Sequence, residues 1–164
     1  MRMNAKGLDA LIASFGKLEG NSKEIAHRGL YKAAGVVADE VKAGLSALPI
    51  QEDPDGTPPD IDEDKKWSGV TTKEKNSLLS GMGIAKHREQ GGQISTAVGF
   101  KGVSPVKTKR FPGGVPNGAL MRGIESGTSM RQKHPVIRPA LNRVKARALE
   151  AAKNEIIEQI QKEI

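Results

Sequence analysis

The residues best suited to metal or acid–base chemistry are three histidines, and each stands alone in the sequence. His27, His87 and His134 lie far apart, and no His-Glu-x-x-His pair or other metal-ligand spacing surrounds them. There is no cysteine, so neither a disulfide nor a thiolate metal site can form. We therefore expect no catalytic residues, no metal and no cofactor, although a triad assembled only in space stays open.

Glycines and acids offer two further kinds of binding site, and neither pattern is complete. Residues 81–86 lack the third glycine of a dinucleotide fingerprint and the Gly-Lys-Ser/Thr ending of a P-loop. Residues 52–64 contain seven acids and no base, but not at the spacing of a calcium loop. Residues 127–129, Gly-Thr-Ser, are more typical of a turn than of an anion nest. We interpret the acidic run as a solvated face.

Basic residues give the strongest electrostatic signal. The net charge is +7, and residues 101–147 alone contain eleven Lys or Arg and one acid, a local net of 11 − 1 = +10. Such a block favours contact with a polyanion. It is also compatible with a solvated surface, or with a face that pairs with the acidic segment of the same or a neighbouring chain.

The N-terminal half of the sequence is predicted to contain two helices. Apolar residues at helical spacing predict helices over 8–19 and over about 22–48. Asn21 and Glu24 fit a capping box at the start of the second helix, and Pro49 ends it. The apolar row of the first helix is Leu8, Leu11, Phe15 and Leu18.

The middle of the chain alternates loops with short elements. Residues 49–70 read as an acidic, flexible loop that ends at Trp67. Trp67 either pins this loop to the core or covers a helix end, and we favour the latter. A short helix at 72–80 and a β-hairpin around the glycine pair in 89–92 follow. Residues 101–117 form a second loop, which is basic and contains Lys107, Lys109 and Arg110.

A turn and two prolines precede the last helix. Glu125, Gly127 and Thr128 belong to the turn, and the helix is predicted to start near Pro135 or Pro139 and to continue to the C-terminus. This arrangement anchors a helix against a rigid corner. Its first half is predicted to bury Ile137, Leu141, Val144 and Ala148.

The second half of that helix carries a different apolar group. At 100° per residue, this second group points more than a right angle away from the apolar group of the first half. Either the helix kinks or the second group meets another chain, which makes its members candidates for a subunit interface. They are Ile156, Ile157, Ile160 and Ile164.

Length and composition set the wider expectations. A chain of 164 residues predicts a single domain, 1–164. No apolar run approaches the length of a membrane span, and the N-terminus lacks the apolar segment of a signal peptide. We expect a soluble, unexported protein without a membrane partner.

The layout resembles the HK97-type tail-component and neck family of long-tailed bacteriophages. The family's opening helix resembles residues 7–11, its Ala- and Val-rich long helix ending at proline resembles 33–49, and its lead-in to the first strand resembles 77–81. The specific part of the resemblance is the Glu-x-Gly-Thr turn at 125–128 and the Pro-x-x-x-Pro-Ala-Leu helix start at 135–141.

This resemblance implies an α+β fold, in which a small antiparallel β-sheet is packed by long N- and C-terminal α-helices. It implies a structural, non-enzymatic protein of the virion neck or tail, assembled in the host cytoplasm. The partners would be copies of the chain in a ring (a hexamer or dodecamer), other neck or tail proteins, and packaged DNA contacted without sequence preference. Lys107, Lys109 and Arg110 would then face the DNA channel.

A free, sequence-nonspecific nucleic-acid-binding protein is the alternative. It would use the basic block of 101–147 directly. The sequence lacks the aromatic stacking platforms and the reading motifs typical of that class.

Overall fold

The computed structural model describes residues 5–60 and 65–163, with side chains described from residue 16 onward. The fold is α+β, as expected, with long helices at both ends of the described chain and short antiparallel strands between them. In chain order its elements are α1 (Ala5–Ser46), α2 (Thr72–Gly81), β1 (Met82–Ile84), β2 (Arg88–Gln90), β3 (Gln93–Ser95), β4 (Val98–Phe100), α3 (Asn117–Ser126) and α4 (Ile137–Glu163).

Helix α1 is continuous, so the prediction of two helices separated at Asn21 is wrong. Asn21 lies inside the helix. The Glu24 carboxylate forms a 2.6 Å ion pair with Arg28 and does not cap a helix N-terminus. A weak helix former such as Gly or Asn costs at most about 1 kcal/mol in a helix interior. The apolar row that continues on both sides of Asn21 outweighs this cost. The helix ends at Ser46, ahead of Pro49 as predicted.

Helices α1 and α4 form a long antiparallel pair. Gly44 lies against Val136 near one end of the pair. Towards the other end, Arg28 donates to the Gln159 side chain at 3.1 Å. Between them, Glu40 of α1 forms ion pairs with Arg143 at 2.9 Å and Arg147 at 3.4 Å. Contacts therefore run along most of α4.

The β-hairpin is confirmed. Strand β2 pairs with β3 across a turn at Gly91 and Gly92, whose positive φ angles of 58° and 76° favour glycine. Strand β1 pairs with β4, with Met82 opposite Phe100. The hairpin is held to α1 by Glu89, which contacts Lys23 of α1 at 3.0 Å.

The core lies where α1, α2, α3 and the start of α4 meet. Its buried members are aliphatic side chains and one methionine, as the low aromatic content implies. They are Val41, Leu45, Leu48, Val70, Leu78, Leu120, Met121, Ile124, Val136 and Ala140. Within the described residues, no helix combines the length and the apolar composition needed to cross a bilayer.

The acidic segment 49–70 is closed at its base. The backbone of Gln51 donates to Val70, and Val70 donates to Pro49, both at 3.0 Å. We predict that exchange of amide hydrogens is slow at this base and fast between residues 53 and 60, where the hydrogen bonds are those of a small local turn, such as Asp53 to Thr57 and Gly56 to Asp53. Strong protection across 53–60 in the isolated protein would contradict this. Residues 61–64 lie outside the described part of the chain.

Candidate assembly and DNA-facing surfaces

Glu125 caps the N-terminus of α4. Its carboxylate accepts hydrogen bonds from the backbone N–H groups of Val136 at 2.7 Å, Ile137 at 2.9 Å and Arg138 at 3.0 Å. The first N–H groups of a helix have no partner within the helix, and a negative charge there is favourable. The acid of the Glu-Ser-Gly-Thr turn therefore fixes where the last helix begins.

The rest of the motif shapes the corner between α3 and α4. Gly127 has a φ of +78° and ends α3, with its N–H donating to Gly123. The Thr128 hydroxyl accepts from the backbone N–H of Arg131 at 3.0 Å. Helix α4 begins at Ile137, between the two predicted prolines, and Pro139 occupies its first turn, where a missing N–H costs nothing. The segment 127–129 thus acts as a turn.

The Glu125 cap gives a testable dependence of stability on pH. Partial burial acts to raise the pKa of Glu125, but the three backbone donors and the Arg138 charge outweigh burial and hold the pKa below its ordinary value of 4.5. The stability from the cap is therefore present above pH 4.5 and is lost as the pH falls through the lower folded-state pKa. We expect Glu125→Ala to lower the free energy of unfolding by about 2 kcal/mol at neutral pH.

Urea unfolding of both proteins across the acid range measures this effect. The difference between wild type and Glu125→Ala should shrink towards zero at acid pH. The matched control is Glu158→Ala, because Glu158 is exposed and forms an ion pair with exposed Lys162 on the same helix. A constant difference at all pH values would contradict the capping role.

The corner is tied to the rest of the molecule by Trp67 and Arg131. The backbone N–H of Trp67 donates to Met130 at 3.0 Å, and the Trp67 carbonyl accepts from Gln132 at 2.9 Å. The guanidinium of Arg131 lies 3.9 Å from the centre of the Trp67 ring and bonds Glu74 at 2.7 Å. Trp67 therefore pins its loop to the turn, the arrangement we did not favour from sequence.

The basic loop projects as a narrow hairpin. Val115 donates to Val106 at 3.2 Å and Ser104 donates to Val115 at 2.8 Å, so two short segments run side by side. A turn at 108–111 forms the tip beyond them. Buried Ser104 and Val106 hold the base of the loop in the body. The sequence predicted an irregular loop, and the structure adds the ladder that presents its tip.

The three DNA-channel candidates lie together at this tip and are exposed. Lys107, Lys109 and Arg110 form no ion pair with any carboxylate in the described ranges 5–60 and 65–163, and Arg110 instead lies 5.5 Å from the centre of the Phe111 ring. As far as the described residues show, these three cations remain available to an external anion.

In the described part of the 52–64 segment, Glu52 and Asp55 accept hydrogen bonds from nearby threonines. Glu52 accepts from the N–H and hydroxyl of Thr72, at 2.7 and 2.8 Å, at the start of α2. Asp55 accepts from the Thr57 hydroxyl at 2.6 Å. In the described part of the chain these acids form no ion pair with the basic block, so pairing within one chain gains no support.

The two apolar groups of α4 are arranged differently from the prediction. Val144 and Ala148 are buried as predicted, but Leu141 is 43% exposed. Ile156 packs on Gly29 of α1, where an added Cβ would lie only 2.6 Å from its side chain. The second half of α4 thus still contacts α1. The residues of α4 that face α1 change direction around the helix from its first half to its second half. Ile156 belongs to the subunit's own packing.

The other members of the C-terminal group differ in exposure. Ile157 is 41% exposed, Ile160 is half-buried, and Ile164 lies outside the described residues. We predict that Ile156→Asp lowers the free energy of unfolding by about 2–3 kcal/mol, because it removes an apolar contact and places a charge against α1. Ile157→Asp should cost less than about 1 kcal/mol. Urea unfolding measures the first difference, and sizing of Ile157→Asp measures any loss of self-association.

The histidines do not assemble a metal centre. His27 and His87 stack with ring centroids 4.5 Å apart and planes nearly parallel, and His134 Nε2 lies 2.8 Å from the Ser68 hydroxyl. Among the described residues, no three His, Cys, Asp or Glu side chains are grouped so as to hold a metal ion. His27 and His87 instead join the hairpin to α1.

Comparison with known proteins found no matching family model, no similar curated protein and no similar solved structure. The likeness to the neck and tail family therefore rests on the residues quoted above, and its functional content is a proposal.

Proposed function

We propose that this chain is a structural subunit of a bacteriophage neck or tail, at the head–tail connection or in tail completion, and that it forms a ring around the DNA channel. The observation that carries the proposal is the corner at residues 125–139. This is the specific part of the sequence resemblance, and in the structure its acid caps the long C-terminal helix. One motif thus has one coherent role, which is to orient α4 rigidly against α3.

The surface of the subunit supports association with other chains. Large apolar side chains are exposed on both long helices, among them Tyr31 at 55% and Leu149 at 64%. The basic tip of the 101–117 loop lies on a different part of the fold. A ring subunit needs both features, with apolar contacts between neighbours and cations towards the DNA.

Two measurements test the proposal. Negative-stain microscopy and sizing of the purified chain should show a closed ring with a central opening. An amber codon in this gene, in the phage that encodes it, should give DNA-filled heads and separate tails that do not join. Normal infectious particles from the amber mutant would exclude a required neck or tail role.

The three cations at 107, 109 and 110, which form no ion pair among the described residues, also favour the alternative, a free nucleic-acid-binding protein. Under that alternative the chain is monomeric and binds DNA of any sequence at moderate salt. Under the ring proposal it self-associates without DNA and holds DNA weakly. Sizing with and without duplex DNA, together with a gel shift, separates the two.

A further inference from the structure

Helix α1 is much longer than its partner α4. An antiparallel pairing that places Arg28 beside Gln159 leaves four more residues of α4, up to Glu163. At 1.5 Å per residue, the described part of α4 ends opposite about residue 24 of α1. Residues 5–20, about 24 Å of helix, therefore extend past the described end of α4.

The sequence of this extension continues the row that α1 directs at α4. Buried Ile25 and the contact residue Gly29 belong to that row. The row continues with Leu18, which lies seven residues before Ile25. Further steps of three or four residues towards the N-terminus reach Phe15, Leu11 and Leu8. A single helix of this length is marginal in water, and most helices owe their stability to packing of an apolar face.

An apolar groove lies elsewhere on the same molecule. It has a volume of about 330 Å³, and its floor is α1 from Leu30 to Val41, with Ala33 and Ala34 in the middle. One wall is the strand region 96–100, and the other is the start of α4 at Ile137 and Leu141. The partly exposed Leu141 stands at its edge.

Groove and extension match in length and character. The floor spans twelve residues of helix, about 17 Å from first to last, and the row from Leu8 to Leu18 spans eleven, about 15 Å. Small side chains on the floor permit close approach of a second helix. The extension and the floor belong to one continuous helix, so a chain cannot fold its own extension into its own groove.

We propose that residues 5–20 of one subunit dock in the apolar groove of a second copy of this chain. The contact joins two different surfaces, so it repeats head to tail and closes a ring where the rotation allows. The inference rests on the proposed ring and specifies the contact that would build it.

Complementary variants test this contact. Leu11→Asp with Phe15→Asp disables the extension. Ala97→Asp with Leu141→Asp disables the groove at two exposed positions, and acids on both surfaces cannot attract each other. Each variant alone should be monomeric, with association about 100-fold weaker or more, because two buried apolar side chains are lost. An equimolar mixture should form heterodimers and nothing larger, because it contains one intact extension facing one intact groove.

Matched controls carry the same charge changes elsewhere. Ala10→Asp with Ala13→Asp places two acids off the apolar row, and Ala119→Asp with Ala146→Asp places two acids at exposed positions outside the groove. Both controls should assemble like the wild type. Circular dichroism verifies the fold of every variant.

Each other outcome overturns the inference. A groove variant that assembles alone would show that extensions pair with each other or that another surface is used. A mixture that stays monomeric would exclude the head-to-tail contact. If either result accompanies wild-type rings, only this interface is excluded. A monomeric wild type would exclude the ring proposal too.

Discussion

Replacing Arg131 with Met should lower the free energy of unfolding by about 3–5 kcal/mol, the largest effect we expect from one substitution. The Arg131 and Glu74 side chains are only 8% and 3% exposed, and their ion pair is 2.7 Å long. Without the guanidinium, the Glu74 carboxylate would remain buried without its charge partner. Arg131 also donates to the Gly69 carbonyl at 3.2 Å, so the substitution frees a buried backbone acceptor as well.

A second substitution should recover part of this loss. Glu74→Gln in the Arg131→Met background removes the buried charge but keeps an acceptor for the Thr71 N–H, which Glu74 binds at 3.0 Å. The control is Arg143→Met, which breaks an ion pair in which Arg143 is 60% exposed and should cost less than about 1 kcal/mol.

Far-UV circular dichroism should follow the urea unfolding. Emission from Trp67 is less suitable because Arg131 lies against its ring and the substitution itself would change the signal. Equal costs for Arg131→Met and Arg143→Met would show that the buried pair does not anchor the corner.

Local features of this fold were predictable because neighbouring residues determine them. A glycine pair between short apolar runs predicted the hairpin, and the structure places it at Gly91 and Gly92. The prolines around residue 137 predicted the start of α4, and Pro49 predicted the limit of α1. Each signal acts within one or two turns of the chain.

Features that depend on distant partners were not predictable in the same way. Glu74 and Arg131 are 57 residues apart, so no local pattern pairs them. The Thr-x-x-Glu spacing at 71–74 is a local signal for the capping box at α2 that we did not use, and it does not indicate the arginine that joins this box. Ile156 was assigned to a subunit interface by assuming that the core lies in one direction along all of α4, whereas in the structure Ile156 packs on Gly29 of α1.

Reversing the charges of Lys107, Lys109 and Arg110 should largely abolish DNA binding while leaving assembly intact. These cations lie at the tip of a loop and have no carboxylate partner in the described ranges, so they can contact phosphates. Phosphate contacts carry no base information, so binding should be independent of sequence. Each lost contact lowers the slope of log affinity against log salt by about 0.9, so three contacts should lower it by about 2.7.

Gel shifts at several salt concentrations measure that slope. The control reverses Lys42, Lys145 and Lys153, three exposed lysines on the long helices, and should change the slope less. Under the proposed neck or tail role, phage that carry the loop variant should assemble normally but change retention or ejection of packaged DNA.

A rival arrangement places the same three cations against the acidic segment of a neighbouring subunit. The loop variant would then fail to assemble, and changing Asp60, Asp62 and Asp64 to Lys in the same chain would restore assembly. That rescue would exclude the DNA-facing assignment, because phosphate contacts cannot be restored by altering acids on the protein. Normal assembly of the loop variant with a reduced salt slope would instead exclude the rival.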